Sequence, residues 1–191
     1  HYNSLPPFSE QTFEIGRRVA IIGMGNVMVD IANWLLNLKK IDQVVVVARR
    51  GPLEKAYDDN EFEYVEQYLD NADMKKEIER IAPWLTAVGQ DVDAITEKFV
   101  KHGEPAEGRR ITFRYLCSPT KVIPNDQGRV AALEVEENEM ILKDGKTVAK
   151  GTGKSRRIDV DCVIYAIGDQ VDESLGLPFS RGAFVTNPEK L

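Results

Sequence analysis

Arg18-Val19-Ala20-Ile21-Ile22-Gly23-Met24-Gly25-Asn26-Val27 decides the reading of this chain, together with Val44-Val45-Val46-Val47-Ala48-Arg49-Arg50-Gly51-Pro52. The first stretch is an apolar strand that runs into a Gly-x-Gly turn and then a helix. The second is another apolar strand, with valine at four successive positions, and it ends in two arginines. A continuous apolar run of that length is the pattern of a parallel strand covered on both faces. Strand, glycine turn, helix, strand is the opening of a dinucleotide-binding unit. In such a unit the first turn lays backbone N–H groups and a helix N-terminus against a pyrophosphate. The tip of the second strand tells NAD from NADP. An acid there suits the free ribose 2′-hydroxyl, and arginine suits the 2′-phosphate. Arg49 and Arg50 therefore point to NADP(H).

Outward from this unit, residues 1–16 read as a leader, because Pro6-Pro7 and Ser9-Glu10 interrupt any regular element. Strand one covers about Arg18–Gly23 and helix one about Asn26–Leu38. Val27, Ile31, Trp34, Leu35 and Leu38 recur at helical spacing and predict its core face, with Trp34 inside. Strand two covers Gln43–Ala48. Asp58–Leu69 reads as a helix capped by Asp58 or Asp59. Met74–Ile81 continues helically until Pro83 stops it, and Asp91–Lys101 is a further helix ended by Gly103. Trp84, beside Pro83, reads as a surface anchor or part of an interface. The pattern then changes. Arg110–Leu116 alternates, and Pro119–Ile123, Val130–Glu136 and Met140–Lys143 follow. They are separated by Asn125-Asp126-Gln127-Gly128 and Asp144-Gly145. These segments predict an antiparallel meander with tight turns. Val160–Gly168 reads as one more buried strand, and the tail from Asp169 shows no period. The expected fold class is α/β, a Rossmann-like three-layer domain. Its central parallel sheet carries helices on one side and a small antiparallel meander on the other.

Length and composition fit one such domain. The chain has 191 residues, 42% of them hydrophobic and 29% charged, as in ordinary water-exposed folds. No apolar run reaches the roughly 20 residues of a membrane span, and no signal-peptide pattern is present. A net charge of −6 argues against nucleic acid or an anionic membrane as partner. Cys117 and Cys162 fall in apolar strand-like context and read as buried structural thiols. With His1 and His102 the only histidines, no metal site is expected. The chain starts His1-Tyr2-Asn3 without an initiator Met, which suggests an excised piece of a larger protein.

Gly23-x-Gly25-Asn26-Val27-x-x-Asp30-x-Ala32 resembles the NADPH-binding segment of adrenodoxin reductase-like ferredoxin–NADP reductases. Arg49-Arg50-Gly51-Pro52-Leu53-x-x-Ala56-Tyr57-x-x-x-Glu61 does as well. Weaker echoes lie at Tyr2-Asn3 and at Phe113-Arg114-x-Leu116-x-Ser118-Pro119, so the resemblance touches nearly the whole chain. It implies that Gly23, Gly25, Asn26 and Val27 cradle the pyrophosphate, that Arg49 and Arg50 hold the 2′-phosphate, and that Glu61 bonds a cofactor ribose. It implies no catalytic residue here. In that family hydride passes from NADPH to FAD, and FAD feeds single electrons to a ferredoxin-type iron–sulfur protein. No second Gly-x-Gly-x-x-Gly is seen, so FAD is expected in a flanking domain joined through residues 1–16. Residues 17–191 would form the NADP(H) domain, inactive alone, of a cytoplasmic or mitochondrial-matrix enzyme. Met28 stands where the family carries a small residue near the turn, which predicts a helix one set further from the sheet. Asn33 stands where members usually carry Arg. Glu63 stands where a docking Arg is common, in an acidic run with Glu61 and Glu66. It argues against an adrenodoxin-like docking mode.

Two other readings stay open. A glutamate synthase small-subunit-like flavoprotein uses a related glycine turn, and a non-catalytic NADP-sensing domain could carry the same site. Thioredoxin reductase-type chemistry is disfavoured for want of a Cys-x-x-Cys. Gly151-Thr152-Gly153-Lys154-Ser155 imitates an ATP phosphate loop, but Val148 occupies the position of its first glycine and no helix follows. A meander loop is expected there, with Arg156-Arg157 as a solvated turn. Gly168-Asp169 is read as the end of the last strand.

Overall fold

The computed structural model describes residues 15–168, 173–180 and 183–184. Most of the expected leader, the Tyr2-Asn3 echo and much of the tail lie outside them. The frame is a parallel sheet of four strands, β1 Arg18–Ile22, β2 Gln43–Val47, β3 Arg110–Arg114 and β7 Cys162–Tyr165, in the order β3-β2-β1-β7. Beside it lies an antiparallel meander of β4 Cys117–Pro124, β5 Val130–Lys143 and β6 Lys146–Asp159. Four α-helices complete the domain: α1 Asn26–Asn37, α2 Asp59–Glu66, α3 Asn71–Ala87 and α4 Val92–Phe99.

Alternation along the strands separates the layers. Val19, Ile21, Val44 and Val46 face a core shared with Met28, Leu35, Ile78, Ile81 and Leu85 of the helices. Ala20, Ile22, Val45 and Val47 face a second core with Leu133, Val135, Ile158 and Val160. Neither face of β1 or β2 meets water, which is why their apolar runs are continuous. The expected three layers are present.

Several expectations need correction. Pro83 does not stop the helix; α3 runs through it from Asn71 to Ala87. An interior proline costs about 3 kcal/mol. Burial of Ile78, Ile81 and Leu85 contributes roughly 1.5–3 kcal/mol each and outweighs it. Asp70 starts this helix by accepting from the backbone N–H of Asp73 at 2.9 Å. Arg110–Arg114 is not part of the meander. It pairs in parallel with β2, with Ile111 opposite Val44 and Phe113 opposite Val46. Alternation identifies a strand but not its neighbour, and α2–α4 form the crossover that makes a parallel pairing possible. Val130–Glu136 and Met140–Lys143 are one strand, β5, interrupted by a bulge between Glu136 and Asn138. The glycine-rich 151–155 and Arg156-Arg157 lie within β6 rather than in turns.

Helix α1 turns only part of the expected face inward: Leu35 is buried and Ile31 and Leu38 pack against the core. Met28, Val29, Ala32, Leu35 and Leu36 are buried, whereas Val27 and Trp34 are 55% and 54% exposed. Both sets recur at helical spacing, and only contact with the sheet separates them. Met28 is fully buried in the helix-side core. The closing strand is shorter than expected and only partly buried, because β7 is an edge strand that pairs with β1 alone among the described residues. Trp84 packs half-buried against the helix-side core. Both cysteines are free; Cys117 is buried and Cys162 half-buried. No helix among the described residues is long and apolar enough to cross a membrane.

Candidate functional site

At the carboxyl ends of β1, β2 and β7 the chain opens a cleft of about 700 Å³. Strand order reverses direction of growth at β1, and such a switch point is where open α/β sheets leave a crevice. Gly23, Gly25, Asn26, Val27, Arg49 and Arg50 all line it, with Ile22, Met24, Ala48, Glu54, Ala56, Cys117, Pro119 and Tyr165–Gly168 completing the wall. Glu61 lies in the first turn of α2, outside that lining.

The glycine turn is shaped by its own backbone. Gly23 has φ +121°, and a Cβ there would stand 2.2 Å from the carbonyl oxygen of Ala166. Only glycine combines that conformation with that approach. Gly23 N–H donates to Val47 O at 3.0 Å, which ties the turn to β2. Gly25 caps α1 with extended backbone and open space where a side chain would stand. No side chain caps this helix, and its first turn carries no acid. Its leading N–H groups and positive dipole end therefore face the cleft. The side chain of Asn26 is engaged elsewhere. Its Oδ1 accepts from Asp58 N–H at 2.8 Å and its Nδ2 donates to Asp58 Oδ2 at 3.1 Å. Asn26 thus fastens α1 to the start of α2.

The arginine tip is held from a distance. Ala48 N–H donates to Arg114 O at 2.9 Å, Cys117 N–H to Ala48 O at 3.0 Å, and Leu116 N–H to Arg50 O at 3.4 Å. The Asn138 amide donates to Arg49 O at 3.1 Å. Both arginines are exposed, and neither guanidinium has a hydrogen-bond or ion-pair partner among the described residues. On a pinned backbone they bring two positive charges to the rim of the cleft.

Behind the tip lies a buried ionic joint that sequence reasoning missed. Glu77 of α3 is 4% exposed. It accepts from Arg80 at 2.7 and 3.0 Å and from Tyr115 N–H at 2.8 Å, while Arg80 donates to Tyr115 O at 2.7 Å. Arg114 pairs with Asp73 at 2.6 and 2.9 Å. These contacts fix the turn at Leu116, where the chain passes with φ +52° from β3 into the meander. Helical spacing alone does not separate Glu77 from the exposed acids of α3. Cys117 lines the cleft but is inert as a nucleophile. Burial pushes its thiol up to about 11.

Comparison with known proteins places this geometry. No family model matches the chain. It is 29% identical to NADPH-ferredoxin reductase FprA of Mycobacterium leprae over 215 residues, covering 98% of the chain and 46% of that protein. It is 27% identical to FprA of Mycobacterium tuberculosis, covering 93% and 44%. With the mitochondrial NADPH:adrenodoxin oxidoreductase of Salvelinus fontinalis it shares 30%, covering 87% and 40%. Among solved structures it matches the atomic-resolution FprA of Mycobacterium tuberculosis with a covalent modification of NADP+, at TM-score 0.68 and 25% identity over 93% of the chain and 45% of FprA. FprA in complex with NADPH has the same fold, at TM-score 0.66 and 24% identity. The chain spans a little under half the length of the curated relatives it matches. Its homologues are thus NADPH-ferredoxin reductases and an adrenodoxin oxidoreductase, and the likeness runs along nearly all of its own length.

Proposed function

We propose that this chain is the NADP(H)-binding half of an FAD-dependent reductase that serves a ferredoxin-type electron carrier. Residues 17–191 are the NADP(H) domain in this reading, and residues 1–16 lead to a flanking FAD domain. The observation that carries it is one cleft that holds both an uncapped helix N-terminus behind Gly23 and Gly25 and, at the neighbouring strand tip, two arginines with no polar partner among the described residues. These residues fit a 2′-phosphorylated dinucleotide. The main-chain N–H groups of Gly25, Asn26 and Val27 suit the pyrophosphate, and Arg49 and Arg50 suit the 2′-phosphate. Glu61 is assigned to a cofactor ribose on the family pattern alone. Bound NADPH supplies a hydride, and FAD in the flanking domain accepts it; no residue of this chain is assigned a proton transfer or covalent step. The chain binds and orients one end of the reaction. Such an enzyme works where NADPH is available, in the cytoplasm or, as for the adrenodoxin relative, in mitochondria.

Calorimetric titration of the 191-residue chain with NADP+ and NAD+ tests the reading. A charge-assisted phosphate contact is worth roughly 1.5–3 kcal/mol, so NADP+ should bind at least about tenfold tighter. Arg49→Ala with Arg50→Ala should remove that preference and leave NAD+ binding nearly unchanged. Equal affinities of the unaltered chain for the two coenzymes would contradict the assignment.

A further inference from the structure

Asn138 is a buried polar residue, 4% exposed, on β5 where its pairing with β6 shifts register. It belongs to the meander, yet it reaches the arginine tip. Its Nδ2 donates to Arg49 O at 3.1 Å, and its own N–H donates to Leu116 O at 2.8 Å. Leu116 N–H in turn donates to Arg50 O at 3.4 Å. Asn138 and Leu116 close a ring of three hydrogen bonds with the backbone of Arg49 and Arg50. Ser118 of β4 locks the amide from behind, with its hydroxyl 2.9 Å from Nδ2 and 3.2 Å from Oδ1. Two residues further along β5, Met140 Sδ would lie 3.2 Å from a Cβ at Gly51, so β5 also backs the residue that follows the arginines. The pairing with β6 shifts at this point, from Glu136 opposite Ser155 to Asn138 opposite Gly151, with the additional residues on β6.

We infer that Asn138, with Ser118, is a positioning residue for coenzyme selectivity, an inference that rests on the reading of Arg49 and Arg50 as the 2′-phosphate site. The guanidiniums themselves have no hydrogen-bond or ion-pair partner among the described residues. Their direction is set by where their backbone is held, and one of the holding hydrogen bonds comes from the meander. The meander is then not only a cover for the second face of the sheet. It is the back plate of the site that separates NADP from NAD. An amide suits the task because Nδ2 donates to Arg49 O while Oδ1 stays satisfied by Ser118, so no buried polar atom is left alone.

The test is the ratio of NAD+ to NADP+ dissociation constants in the 191-residue chain, measured for the unaltered protein, Asn138→Leu and Ser118→Ala. Asn138→Leu keeps the shape and removes the donor. It should weaken NADP+ binding by roughly three- to tenfold, the range of a neutral hydrogen bond, and leave NAD+ within about twofold. Ser118→Ala should shift the ratio in the same direction by less, and it carries the test if Asn138→Leu does not fold. In an Arg49→Ala, Arg50→Ala background neither substitution should change the ratio further, because Asn138 acts only through that backbone. Equal weakening of both coenzymes would assign Asn138 a purely structural role and overturn the inference, as would full effects persisting without the arginines. An unaltered chain that shows no NADP+ preference overturns the coenzyme reading itself. An unaltered preference kept intact in both variants overturns the role of Asn138 alone.

Discussion

The two sides of the cleft are built by opposite means. The glycine turn carries its geometry in its own residues: Gly23 at φ +121°, Gly25 as an extended cap, and the helix that starts at Asn26. The arginine tip carries almost none. It is held by Arg114, Leu116, Cys117 and Asn138, which follow it by some 65 to 90 positions. The cleft thus joins one locally determined half to one determined by tertiary packing. Damage to the local half is confined to glycine and backbone strain. Damage to the other half can come from residues that touch no ligand.

The largest effect should come from the buried joint behind the tip. Glu77→Ala leaves the half-buried Arg80 with only its longer carboxylate contact, to Glu137 at 3.8 Å, and removes the acceptor for Tyr115 N–H. Breaking a buried pair in this way costs about 3–5 kcal/mol. A chain of this size loses about 2–4 °C of melting temperature per kcal/mol, so a fall of roughly 6–20 °C is expected in calorimetric or circular-dichroism melting. A change within 2 °C would show that the joint is not what secures the tip. Gly23→Ala attacks the other half. The new Cβ meets Ala166 O at 2.2 Å in a backbone region that side chains avoid. Strain and overpacking of about 1–3 kcal/mol each should lower stability by roughly 2–6 kcal/mol. They should also weaken NADP+ and NAD+ alike, because both carry the pyrophosphate. A Gly23→Ala protein that loses NADP+ selectively would break the comparison, since selectivity belongs to the tip.

The opposite end of the sheet provides the control. Asp161 accepts from the Arg18 side chain at 2.9 Å and from the N–H groups of Arg17 and Arg18 at 3.0 Å each. The Arg18 hydrogen bond, with those N–H groups, holds its carboxyl below the usual carboxylate range. A depressed carboxylate contributes stability above its unfolded value, about 3.9, and loses it as pH falls through the folded value. Asp161→Asn should therefore lower the melting temperature modestly at neutral pH, with the gap to the unaltered protein closing below about pH 4. It should leave both coenzyme affinities unchanged. A gap independent of pH would mean that Asp161 contributes by packing rather than charge.

Legibility followed the same division. The strands, the glycine turn and the charge of the second strand tip are local patterns, and the cleft unites every expected cofactor residue except Glu61. What escaped is non-local. Alternation at Ile111, Thr112 and Phe113 signals a strand but cannot say that β2 is its neighbour. Trp34 and Leu35 share helical spacing, yet only Leu35 meets the sheet. Pro83 breaks isolated helices, but Ile81 and Leu85 are buried on either side of it. Asn138 sits in a run of acids and shows no sign in sequence of the ring it closes.

The most direct measurement of the central claim is amide NMR of the 191-residue chain titrated with NADP+ and with NAD+. The account predicts that NADP+ shifts two sets of resonances together, Gly23–Val27 and Arg49–Gly51, and that NAD+ shifts the first set alone. Shifts from NADP+ that miss either set, or an identical pattern from both coenzymes, would contradict it.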